Sequence, residues 1–154
     1  MTLHIAKETQ LMTTEIQAAV TASPVRFGSW RSVPTFRKVT NALFFPFDIR
    51  VMNIYDHVVV DTVHCAKWKM MAMSNGGFYL YPDSKVKTVR MRSTNGYSSE
   101  VPVEISGLIA TVFAASQASF EAGGATAGDL YYKLLGYLDS LPPELADIVA
   151  AMID

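Results

Sequence analysis

Apolar residues return along this chain with two periods, and the switch between them lays out the fold. Ile5, Met12, Ile16 and Val20, with Thr9, recur at helical spacing, which predicts an amphipathic helix over residues 3–21 ended by Ser23-Pro24. Between Pro24 and Lys38 the periodicity is lost. Arg26, Arg31, Arg37 and Lys38 alternate with Phe27, Trp30 and Phe36, and Gly28 and Pro34 break the run, so this segment reads as an irregular basic arm. Residues 46–64 return to helical spacing through Ile49, Met52, Tyr55, Val59 and Val63, while the β-branched run Val58-Val59-Val60 pulls toward strand.

From Trp68 the period becomes two. Trp68 to Met73 reads as a strand, Ser74 to Gly77 as a tight turn and Phe78 to Tyr81 as the partner strand. Asn75-Gly76 supplies, at least cost, the two positive φ angles of a type I′ turn. Pro82-Asp83-Ser84 turns the chain again. In Thr88-Val89-Arg90-Met91-Arg92 apolar and polar residues alternate strictly, as in an antiparallel strand covered on one face, and Asn95-Gly96 leads into Tyr97 to Val101. The middle of the chain is therefore expected to be a meander of about four strands.

Pro102 suits the first turn of a helix, and Ile105, Leu108, Ile109, Val112, Phe113 and Phe120 then line one side of it until Gly123-Gly124. Leu130, Leu134, Leu138 and Leu141 mark a second helix starting near Thr126. After Pro142-Pro143, Leu145, Ile148, Val149 and Met152 mark a short third. Strands in one block and helices in the next predict an α+β fold, an antiparallel meander packed against several helices.

Composition adds that residues 1–154 suit one domain: half of them are hydrophobic and 18% charged, enough to bury a single core. Cys65 is the only cysteine, so no internal disulfide forms. With no signal-peptide pattern at the N-terminus, the expected compartment is the cytoplasm. The most apolar stretch, Ile105 to Phe120, is shorter than a bilayer span and is broken by Gly107, Ser116 and Gln117; it reads as a core helix, with no membrane partner.

The net charge of -1 hides a polarity. Residues 1–92 carry twelve Lys/Arg against six Asp/Glu, and residues 93–154 one Lys against eight acids. Such asymmetry can orient self-association or docking onto a charged partner, or it disappears when the two halves interleave in one fold. A mimic of duplex DNA must present about one negative charge per 1.7 Å of axis, and this chain has too few acids. It also lacks the basic excess of a dedicated nucleic-acid binder, so strong direct DNA binding is not expected.

A search for chemistry is nearly empty: there is no glycine-rich phosphate loop, zinc-type cysteine pair or nucleophile elbow. One constellation stands out. On a helix, His57, Asp61 and His64 would share a side at i, i+4 and i+7, with Cys65 adjacent, a set able to bind zinc or to build a Cys-His pair. A surface helix carries polar residues by default, which is the plainer account. Likewise, the basic arm could grip phosphates and stack bases, or its aromatics could simply pack on the core. These features keep a small metal-binding or nucleic-acid-binding protein of a mobile element as the alternative.

The stretch Trp68 to Pro82, WKMMAMSNGGFYLYP, resembles the hairpin of the ArdB/KlcA antirestriction family, with its Ser-Asn-Gly-Gly core and exit proline. Asn95-Gly96-Tyr97 resembles the family's second turn. Ser106 to Ala114 is similar to its Gly-Ile-Val-Ala-Thr-Leu-Phe-Ala helix. Tyr132, Leu134 and Tyr137, then Pro143-Glu144, Ile148 and Met152-Ile153-Asp154, are similar to its C-terminal pattern. The resemblance covers residues 66–154 in order and spacing; residues 1–65 diverge, although Phe44-Phe45-Pro46 echoes a Phe-Leu-Pro segment.

The resemblance implies a protein that relieves type I restriction of incoming plasmid or phage DNA, by a route other than DNA mimicry. It implies no catalytic residue, no metal and no cofactor. The partner would be the type I restriction-modification complex or a host factor linked to it. Asn75, Gly76, Gly77 and Asp154 are the candidate partner-binding residues. Asp154, placed after a short amphipathic helix, is expected to carry two carboxylates into solvent against the helix dipole, at a cost of a few tenths of a kcal/mol. Its inclusion in the resemblance suggests charge-assisted hydrogen bonds to a partner.

Overall fold

The computed structural model describes residues 19–63 and 67–154. In chain order the elements are strand β1 (Ala22–Pro24), a 3₁₀ turn (Trp30–Ser32), helices α1 (Pro34–Ala42) and α2 (Phe47–Val58), strands β2 (Trp68–Met73), β3 (Phe78–Pro82), β4 (Thr88–Arg92) and β5 (Ser98–Pro102), and helices α3 (Val103–Ser119), α4 (Ala125–Leu138) and α5 (Pro143–Ile153). This is an α+β fold, as the succession of periods predicts.

Helix α3 is the centre. Its length reads from the sequence, but its burial does not: apolar side chains were expected on one side, and the helix is buried almost all round. Leu108, Ile109, Ala110, Ala114, Ala115 and Ala118 are inaccessible, as are the polar Ser106 and Thr111. A helix that is apolar on every side belongs inside a protein, and α2, α4 and β3 all pack on this one. Phe120, expected on its core side, is 89% exposed, because the helix stops at Ser119 and Phe120 lies beyond the last turn.

The four expected strands are present, but in two sheets: β1-β2-β3, all antiparallel, and the separate hairpin β4-β5. Strand β4 does not extend the meander because the free edge of β3 is already taken. The Leu80 N–H donates to Thr111 Oγ1 at 3.1 Å, and Thr111 donates in turn to the Gly107 carbonyl at 2.8 Å. Gly107 lets the helix come this close. A Cβ there would lie 2.3 Å from the Leu80 carbonyl oxygen and 2.5 Å from Tyr81 Cα. One threonine and one glycine, a turn apart, thus seat the central helix on a strand edge that would otherwise need a partner.

Strand β1 was not foreseen. Most of the helix predicted over residues 3–21 lies outside the described residues; Ala19 to Thr21 are not helical and lead into β1. The expected irregular arm is also shorter than it reads: Pro34 opens α1 from its first turn, where a missing N–H costs nothing. Its aromatics follow the packing alternative in part. Trp30, Phe36, Phe78 and Phe47 form an edge-to-face chain with centroids 5.8, 5.4 and 5.8 Å apart, while Phe27 remains 70% exposed.

Helix α2 is found where expected but turned. Phe47, Val51, Tyr55 and Val58 are buried, whereas Ile49 is 43% exposed. The helix is also shorter than expected, and the valine run explains why: it ends at Val58, and Val59 goes over to an isolated antiparallel bridge with Met91 of β4. Tyr55 then bonds Ser106 of α3 and meets Trp68 edge-on.

Candidate functional site

The two hairpins share one design. Trp68 pairs with Pro82 and Thr88 with Pro102, so their registers coincide with an offset of twenty residues. In each, the residue before the loop bonds across it: Gly76 N–H to the Met73 carbonyl at 2.9 Å, and Gly96 N–H to the Ser93 carbonyl at 3.0 Å. Within these two loops positive φ falls on Gly76 (90°) and Gly96 (88°) and not on the asparagines. The expected type I′ turn is therefore replaced by a three-residue loop, in which only the last residue is left-handed. Asn75 Oδ1 accepts the Gly77 N–H at 3.0 Å and Asn95 Oδ1 accepts the Tyr97 N–H at 2.9 Å, each closing its turn from inside.

What the asparagines do with their second group differs. Asn75 Nδ2 donates to the Lys133 carbonyl of α4 at 2.9 Å, and Thr35 Oγ1 at the start of α1 donates to the Gly76 carbonyl. The first turn is thereby clamped between two helices; Ser74 and Gly76 are exposed, and Gly77 is buried. Lys133, the only cation of residues 93–154, stands beside this turn. Asn95 Nδ2 instead donates to the Ala151 and Asp154 main-chain oxygens at 2.9 and 3.1 Å, and Ser93 Oγ donates to the Met152 carbonyl. These are carbonyls the last turn of α5 leaves without helical partners.

Asn75, Gly76 and Gly77 thus form one turn hydrogen-bonded to two helices, and Asp154 lies at the other hairpin. No hydrogen bond or ion pair joins the two places among the described residues. Asp154 is exposed beside a groove of about 510 Å³ between α4 and α5, lined by Tyr131, Leu135 and Ile153. Thr35, Ser93 and Lys133 escaped the sequence reading, in which Asn95 is only a turn residue. The repeated Asn-Gly was the available signal, but the partners of its side chains are remote in sequence.

Of the constellation His57, Asp61, His64 and Cys65, the two described members, His57 and Asp61, do not share a helix. The helix ends before Asp61, whose carboxylate accepts the Arg90 N–H at 2.8 Å, while His57 Nδ1–H donates to the Asn53 carbonyl at 2.8 Å. His64 and Cys65 lie outside the described residues. Among the described residues no three His, Cys, Asp or Glu groups converge as metal ligands.

One buried polar cluster lies behind the first turn. The Tyr79 hydroxyl donates to Glu104 at the start of α3, and the Tyr79 ring sits 5.7 Å from that of Tyr137 on α4. Burial, then the Glu104 carboxylate, then Tyr137 push the Tyr79 phenol far above its ordinary value, so it stays a neutral donor. Burial, then Glu104 and Asp83, raise Tyr81 as well. The cluster ties β3 to α3 and α4, and so fixes the floor on which the first turn rests.

These features define a two-hairpin α+β fold whose turns are hydrogen-bonded to helices. The sequence profile described as antirestriction protein matches residues 63–154. Two curated relatives, both antirestriction protein KlcA of Escherichia coli, are 34% and 29% identical over 91 and 87 residues, each covering 56% of this chain. Those alignments span 63% and 60% of the relatives' own lengths. A solved structure described as showing the novel fold of the KlcA and ArdB proteins is similar at a TM-score of 0.63 and 25% identity, over 88% of this chain and 96% of that one. The chain belongs to the ArdB/KlcA family of antirestriction proteins.

Proposed function

We propose that this protein relieves type I restriction of incoming plasmid or phage DNA in the cytoplasm of a bacterial host, by docking and without catalysis or a cofactor. The observation that carries this reading is the likeness over 88% of the chain to the KlcA and ArdB fold, whose bearers are described as active against type I restriction in vivo but not in vitro. Activity in cells that is missing with purified components favours a host factor linked to the restriction complex as the partner. DNA mimicry does not fit, because thirteen basic residues offset fourteen acidic ones. The docking residues would be Asn75, Gly76 and Gly77 on the clamped turn, and Asp154 at the end of α5.

The test is the plating efficiency of unmodified phage on a type I restricting strain with and without this gene. Relief of restriction is expected with the gene, and unchanged efficiency at full expression would overturn the reading. Asp154→Asn should keep the melting temperature and weaken protection; a normally folded variant with full protection removes Asp154 from the surface.

A further inference from the structure

Not one Asp or Glu occurs between Glu15 and Asp48, although this stretch carries Arg26, Arg31, Arg37 and Lys38. None of these four side chains makes an ion pair among the described residues. The structure shows where the aromatics between them go. A turn closed by Ser29 N–H to the Arg26 carbonyl at 3.0 Å, with Gly28 at φ 84°, thrusts Phe27 outward at 70% exposure. Lys67 Nζ lies 5.0 Å from the centre of that ring.

Two clefts of about 590 and 140 Å³ open around this turn, and they share three aromatic walls: Phe27, Trp30 and Trp68. Arg31 lines the larger cleft, and Lys67 and Lys69 line the smaller. Asp48 in the larger cleft and Asp83, 4.0 and 3.5 Å from the two lysines, leave an excess of positive charge once Arg26 is included. Flat apolar faces separated by cations suit a polymer that alternates flat bases with phosphates. Stacking needs no sequence and no groove geometry, but it does need unpaired bases.

We infer that the Phe27, Trp30 and Trp68 clefts, lined by Arg31, Lys67 and Lys69 with Arg26 in the adjoining turn, form a binding site for a short stretch of single-stranded nucleic acid. Bases stack on the aromatic walls and phosphates meet the rim cations. The site goes beyond the docking function and does not depend on it. It also agrees with the modest overall charge: four rim cations give weak, salt-sensitive binding rather than the tight grip of a dedicated binder.

The chain has two tryptophans, and both line the site, so binding reports itself through their fluorescence. The full chain is titrated at low salt with a twelve-nucleotide oligothymidylate, the same length of duplex DNA, and thymidine monophosphate. Quenching is expected with the single strand, about tenfold weaker for the duplex and the mononucleotide. Phe27→Ala should weaken the single-strand affinity by about tenfold through one lost stacking face. Arg26→Gln with Arg31→Gln should lower the slope of log affinity against log salt by about 1.4, at about 0.7 per phosphate contact. All three side chains are exposed, and an unchanged circular dichroism spectrum shows that the variants fold. The inference is overturned by the absence of quenching, by equal affinity for duplex or mononucleotide, or by folded variants that bind as the parent does.

Discussion

The two hairpins of this protein have the same register, the same loop and the same asparagine closing it, yet they differ in almost everything the fold asks of them. In the first, both strands are rich in buried residues: Met70, Met73, Phe78, Tyr79 and Leu80 are all covered, because α1 and α2 pack on one face and α3 and α4 reach the other. In the second, burial alternates residue by residue along β4. Gly77 and Tyr97 hold equivalent places. A Cβ on Gly77 would meet Met73 Cε at 2.5 Å and Lys133 Cβ at 3.1 Å, whereas Tyr97 already carries a full side chain that is 37% exposed. A turn's own chemistry fixes its backbone; the neighbours decide which of its residues can change.

The largest effect is expected where the first hairpin meets α3, because Gly107 brings the helix backbone against that of β3. Gly107→Ala places a methyl against backbone atoms that cannot rotate away, so it should cost about 3 kcal/mol or more, the upper end for an overpacked core. A shift in denaturation midpoint of under 1 kcal/mol would mean that α3 slides on β3, and that the seat is not what separates the hairpins.

Next come the equivalent positions after the two loops. Gly77→Val should cost about 1–3 kcal/mol, since Met73 and Lys133 must both give way. Tyr97→Val should stay within about 0.5 kcal/mol, as surface changes do. Equal costs in chemical denaturation would break the comparison.

The loop glycines sharpen it from the other side. Gly76→Ala and Gly96→Ala both force a side chain into the left-handed region, at about 1–2 kcal/mol each, and neither Cβ meets an atom closer than 3.4 Å. The two losses should therefore be nearly the same.

The smallest effect at neutral pH concerns Tyr79, whose counterpart across the twenty-residue offset is Ser99. Its phenol is raised above the ordinary 10.0 by burial and by Glu104. The unfolded chain therefore ionises first: the stability that comes from keeping Tyr79 neutral is full below about pH 10 and is lost as pH rises above it. Tyr79→Phe should flatten the alkaline fall of the melting temperature while leaving the second hairpin untouched. An identical profile above pH 10 would assign the fall to other tyrosines.

Element by element, the hairpins, the turn positions and the three C-terminal helices were legible in the residues, because alternation, Asn-Gly and proline act over a few positions. The candidate turn was legible for the same reason, and Asn75 and Gly76 stand in a tight loop. Its environment was not. Nothing local ties Asn75 to the Lys133 carbonyl or Thr35 to Gly76, and nothing near Asn95 announces that it caps a helix more than fifty residues later.

By itself the sequence determined the α+β class, the order of strands β2 to β5 before the three C-terminal helices, and a charge balance unsuited to DNA mimicry. Periodicity and composition are sums over neighbouring residues, and they survive without contacts. Only the tertiary structure decided that the strands divide into two sheets, that α3 is buried on every side, that α2 turns Ile49 outward and that His57 and Asp61 part company. Each of these rests on a long-range partner competing for the same backbone or face. The Thr111 hydroxyl takes the β3 edge before β4 can, and the Val59 bridge to Met91 ends a helix that side-chain spacing alone would have carried on.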